Sequence, residues 1–132
     1  MSLTDEQRKI IIDLELERSD KMMSQIPALQ ELGFWDTIAN RLYYALFHAV
    51  TAMFIYDGLE VSTHRGMVRN FGVHYVQTEL FSREEGRFYS QLQTQREQAD
   101  YNCKYDSTED TIKPIKDKTE ALIEHIKSYI AK

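Results

Sequence analysis

Cysteine is nearly absent: Cys103 stands alone among 132 residues. A single thiol excludes a disulfide framework and any thiolate metal cluster, and it fits a reducing compartment. Proline occurs twice and glycine five times, too few for the many tight turns of a sandwich or barrel. No apolar run approaches the roughly 18–20 residues that cross a bilayer, and the N-terminus lacks the basic-then-apolar pattern of a signal peptide. The expectation is a soluble cytoplasmic protein that does not enter a membrane. An excess of positive charge is also missing. Sixteen basic against 21 acidic residues leave a net charge of −5, which disfavours indiscriminate nucleic-acid binding.

What is present is ordinary globular composition, 42% hydrophobic and 28% charged, which argues against disorder. A chain of this length makes one domain, residues 1–132, and needs no metal or disulfide to fold. The arginines are unevenly spread. Arg65, Arg69, Arg83, Arg87 and Arg96 all fall between residues 64 and 104. Arginine presents a planar fork that matches phosphate oxygens, although a solvated helix surface with ion pairs explains the same clustering.

Helical periodicity runs through most of the chain. Thr4 is a plausible cap for a first helix carrying Ile11, Leu14, Met22, Ile26 and Leu29. Pro27 predicts a kink or break, and Gly33 an end. The next helix spans Phe34 to Asp57, is closed by Gly58, and is apolar around most of its circumference, so it should be central. Thr63 caps a third helix reaching about Thr78, and Ser82 with Glu85 forms a capping box opening a fourth that reaches about Tyr101. A loop follows over Asn102 to Asp106, and Ser107 with Asp110 caps the last helix. The fold class is all-α, an up-and-down bundle of four long helices and a shorter one.

Chemistry concentrates on the second helix. Arg41, Tyr44 and His48 are spaced by three and four residues and share one face. At about 1.5 Å per residue, Arg41 and His48 lie roughly 10 Å apart along the axis, within reach of one phosphodiester. The bland reading gives Arg41 a carboxylate and makes His48 a hydrogen-bonded core histidine. A second constellation, Arg96, Asp100 and Tyr101, combines an i,i+4 ion pair with a tyrosine that closes the helix end. A third contains Arg69 and His74, with His64 and Arg65 upstream. No two histidines stand at the close spacing of helix-borne zinc sites, so no metal or other cofactor is expected. Cys103, in a polar loop with no neighbouring histidine in sequence, is a poor nucleophile.

The string Arg41-Leu-Tyr-Tyr-Ala-Leu-Phe-His48 is followed by Gly58-Leu59-Glu60, Thr63-His64-Arg65-Gly66, Phe71-Gly72 and Arg96-x-x-Ala99-Asp100-Tyr101. Together these resemble the HEPN domain family over roughly residues 5 to 130. The resemblance implies an all-α bundle, commonly a homodimer with a cleft between subunits. It also implies nucleotide or RNA binding, and in many members metal-independent ribonuclease activity as a toxin paired with a nucleotidyltransferase antitoxin. Ribonuclease members carry an arginine followed after four to six residues by a histidine late in the bundle. Here Arg96 is followed at that place by Tyr101. Arg41 with His48, and Arg69 with His74, satisfy the bare spacing elsewhere. The expected catalytic set is therefore His48 as base with Arg41 and Arg96 holding phosphate, and Tyr44, Asp100, Tyr101 and Arg69 as nucleotide- or RNA-binding residues. The alternative is a non-catalytic helical dimer serving as a protein-interaction or ligand-binding module. Tyr43, Phe47, Phe54 and Tyr56 add to the case for a dimer, because they exceed what one small bundle needs.

Overall fold

A computed structural model describes residues 3–101 and 106–132. Six α-helices follow in order: α1 (Asp5–Ser24), α2 (Ile26–Leu32), α3 (Trp35–Asp57), α4 (His64–Phe71), α5 (Arg83–Tyr101) and α6 (Glu109–Ala131), with a π-helical turn at Gly72–Val76 after α4. Among the described residues there is no β-strand, and no helix is long and apolar enough to cross a membrane.

Local chemistry accounts for most boundaries. Thr4 accepts from the Gln7 amide while the Gln7 side chain accepts from the Thr4 amide, a reciprocal cap on α1. The break at Pro27 separates α1 from α2 as expected, and proline sits in the first turn of α2, where its missing N–H costs least. That break gives two short helices beside the four long ones, where one was expected. Gly33 and Gly58 both adopt left-handed φ values, 71° and 74°, and end α2 and α3.

Two boundaries differ from expectation. The third predicted helix does not continue to Thr78: α4 stops at Phe71 and the chain widens into the π turn, with the Gln77 amide donating to the Gly72 carbonyl. Buried Met67, Phe71 and Tyr75 recur every four residues. In an α-helix that spacing drifts by about 40° per step, and a wider turn reduces the drift and keeps all three facing the core. The last helix is capped by Thr108 and Thr111, not by Ser107 and Asp110. The Ser107 amide instead donates to Asp36 Oδ1 at 2.8 Å, tying the entry of α6 to the start of α3.

Helix α3 is the axis of the molecule and packs against α1, α2, α5 and α6. Ala45, Ala49 and Ala52 are fully buried on α3, and α1 comes close enough for the buried Ser19 hydroxyl to donate to the Ala45 carbonyl at 2.7 Å. Tyr43 and Phe54 are buried within this chain, at 0% and 3% exposure. The single bundle therefore uses two of the four aromatic residues thought surplus to it. Phe47 stays half-buried and Tyr56 exposed.

Candidate functional site

One side of α3 faces no helix squarely, and both of its borders carry polar chemistry. On the first border α1 runs antiparallel to α3. Arg8 Nη1 donates to the Ile55 carbonyl (2.8 Å), Glu15 Oε2 meets His48 Nδ1 (2.7 Å), and Gln25 Oε1 accepts from Arg41 Nε (2.7 Å). An ionised carboxylate only accepts, so in the neutral imidazole the Glu15 contact places the His48 proton on Nδ1 and leaves the lone pair on Nε2. The two side chains are 14% and 26% exposed, so the pair is shielded yet reachable. Arg41 differs from its bland reading. Its partners among the described residues are two neutral amide oxygens, those of Gln25 and Asn40, so it is oriented without an ion pair. A groove of about 490 Å³ runs along this seam, lined by Leu14, Glu15, Glu17, Arg18, Lys21 and His48.

The second border lies toward α4 and α5. Arg96 is only 8% exposed, stands 5.0 Å from the Tyr43 ring centroid and donates from Nη1 to Asp100 Oδ2 at 2.8 Å. Its Nε is buried without a hydrogen-bond partner among the described residues. Thr63, whose side chain accepts from the Gly66 amide, starts α4 and delivers His64 to the Tyr43 hydroxyl, 2.5 Å from Nδ1. Glu97 receives Arg65 and Gln93. A second groove, about 620 Å³, opens between α3 and the segment leading into α4, with Phe47, Thr51, Leu59, Val61, His64 and Met67 among its walls.

The electrostatics follow from this packing. Burial pushes the Tyr43 hydroxyl well above the ordinary phenol value, and the attraction of Arg96 for a phenolate does not undo that. Burial, and then the positive charge of Arg96, hold His64 below the usual histidine value. Burial opposes the charge of Arg96 itself, but Tyr43, Tyr44 and Asp100 outweigh it and keep the guanidinium charged.

The predicted site residues are thus divided. Arg41 and His48 share the α1 seam. Tyr44 lies between the borders, with ring centroids 5.1 Å from Tyr43, 5.9 Å from Phe47 and 6.1 Å from His64. Arg96 and Asp100 form the expected ion pair on the other border, and Arg96 has no partner in common with Arg41 or His48. Arg69 is exposed on α4. Tyr101 does not close the helix end against the core, since it is 82% exposed at the end of α5. Cys103 and most of its expected loop lie outside the described residues. Tyr43 was read only as a surplus aromatic residue and His64 only as an upstream neighbour of the third constellation, and neither stood in the expected catalytic or binding set. Their signal was the Thr63 cap, which sets His64 at a helix start.

An all-α bundle whose central helix displays arginine, histidine and tyrosine along its open side defines the class: a small helical domain with a polar-aromatic surface. The chain belongs to the HEPN domain family, whose family model matches residues 13–129. It is similar to the "UPF0332 protein" of Thermotoga maritima, at 27% identity over 124 residues that cover 94% of each chain. It is also similar to two proteins of Methanocaldococcus jannaschii. "Putative toxin MJ0605" is 24% identical over 115 residues, 87% of this chain and 80% of that one, and "Putative toxin MJ0142" is 20% identical over 115 residues, 87% and 78%.

Proposed function

We propose that this HEPN protein is toxin-like and binds RNA or a nucleotide along the α1–α3 seam, cleaving RNA without a metal ion. Two relatives named as toxins support the first part. The observation that carries the chemistry is the Glu15–His48 pair on the same seam as Arg41, which has no carboxylate partner among the described residues. Glu15 holds His48 in the tautomer whose Nε2 accepts a proton. That nitrogen takes the proton of a ribose 2′-hydroxyl. The 2′-oxygen then attacks phosphorus, the bond to the 5′-oxygen breaks, and the proton passes to that leaving oxygen, giving a cyclic phosphate and a free 5′-hydroxyl. Arg41 stabilises the charge that builds on the phosphorane oxygens.

This reading includes a homodimer, supported by the half-buried Tyr44 and Phe47 on the open side of α3. It also implies a nucleotidyltransferase antitoxin as partner. Its test is RNA cleavage in excess EDTA by the parent, Arg41→Ala and His48→Ala. Cleavage is expected in the parent and lost in both variants. His48→Ala cutting as fast as the parent would overturn the assignment. A second reading, a non-catalytic nucleotide- or partner-binding module, is favoured by exposed Tyr101 standing where ribonuclease relatives of the resemblance carry histidine. A parent protein that binds RNA and never cleaves it supports that reading.

A further inference from the structure

His48 and His64 both pack against one ring: their centroids lie 5.2 Å and 5.0 Å from that of Phe47. His48 lines the seam, and Phe47 and His64 line the larger groove, so one side chain links the two. Its Nδ1 is already taken by Tyr43. The Tyr43 side chain is fully buried, and the other polar side chain over its ring, Arg96, has only hydrogens to donate. A buried O–H left undonated is costly, and the acceptor it reaches is His64 Nδ1. The proton of neutral His64 must then sit on Nε2, which has no partner among the described residues. Arg96 reinforces this state, because its charge disfavours a second positive charge on the ring.

We propose that His64 is a ligand-binding residue, a neutral hydrogen-bond donor whose Nε2–H takes an acceptor oxygen of RNA that extends from the seam past Phe47, with Tyr43 as the positioning residue that sets its tautomer. The ligand part rests on the function proposed above. The tautomer part does not. The two histidines then have opposite roles imposed by their partners: a carboxylate leaves His48 an open lone pair, and a buried phenol leaves His64 an open N–H.

The experiment uses the full chain with ¹⁵N-labelled histidine. A long-range proton–nitrogen spectrum of the free protein is expected to show His64 as the Nε2–H form, and Tyr43→Phe to release it into a mixture. A short single-stranded RNA is then titrated in. His64→Leu is expected to weaken binding about tenfold, near 1.4 kcal/mol, and His64→Gln, which carries an amide N–H in a similar place, to restore most of the loss. A His64 proton found on Nδ1 in the free parent overturns the tautomer lock. RNA that binds the parent and His64→Leu equally removes the ligand role alone. RNA that fails to bind the parent removes the ligand role together with the seam reading, while the spectrum still decides the lock.

Discussion

Tyr89 offers a test of buried polarity in which the expected sign is unusual. Its ring is fully buried and meets Phe71 edge-on at 5.5 Å, yet its hydroxyl has no hydrogen-bond partner among the described residues. Burial keeps that hydroxyl strongly protonated. A buried hydroxyl without a partner costs about 1–3 kcal/mol, whereas the ring contributes packing that phenylalanine preserves. Tyr89→Phe should therefore stabilise the fold by about 1 kcal/mol or more. For a domain of this length that raises Tm by about 3–5 °C per kcal/mol. Tyr75 is the matched control. It is as deeply buried, but its hydroxyl donates to Asp57 Oδ2 at 2.5 Å, so Tyr75→Phe should lose about 1.5–3 kcal/mol as a charge-assisted bond disappears. Urea denaturation of the two variants and the parent, with equal m-values, measures both. A Tyr89→Phe variant less stable than the parent would refute the reasoning, because its hydroxyl would then have a partner worth more than its desolvation.

Other consequences are simpler to state. Burial raises the Glu85 pKa, but hydrogen bonds from His125 and from Ser82 outweigh it and hold the carboxyl below its usual 4.5. Its folded value lies below its unfolded one, so its contribution to stability is present above the unfolded value and is lost as pH falls through the folded value. Glu85→Gln should flatten the loss of stability measured by urea titration from pH 6 down to pH 3, and an unchanged slope would count against the pair. Arg96→Met removes the charge beside His64, so the His64 pKa should rise toward the ordinary value in an NMR titration; a fall would contradict the assigned cause. Gly66→Ala places a Cβ 2.7 Å from Thr63 Oγ1, which displaces the cap of α4 and should cost about 0.5–2 kcal/mol in thermal melts. A melt identical to the parent's would show that the cap adapts.

Much of the architecture was legible because helix boundaries are written within a few residues. Thr4, Gly33, Gly58, Thr63 and the Ser82–Glu85 pair each act on backbone groups three to five positions away, so their meaning survives without knowledge of the rest of the chain. The same locality made the Arg96–Asp100 pair visible. It misled at Ser107, where a distant carboxylate, Asp36, took an amide that local reasoning had assigned to a cap. The π turn was hidden for a related reason: its benefit lies in aligning Met67, Phe71 and Tyr75 against a core that local spacing does not display.

Chain order alone placed Arg41, Tyr44 and His48 on one face of one helix, since a helical repeat is a property of the backbone. Which partners those side chains meet depended on how α1 and α4 dock against α3. The antiparallel register of α1 put Glu15, 33 residues away, on His48. The start of α4 put His64 on Tyr43, 21 residues away. Arg96 went to the Tyr43 ring and away from the arginine and histidine it was expected to join. Helix packing decides such contacts, because a proton's place on an imidazole and the freedom of a guanidinium charge are set by the neighbour that tertiary structure supplies.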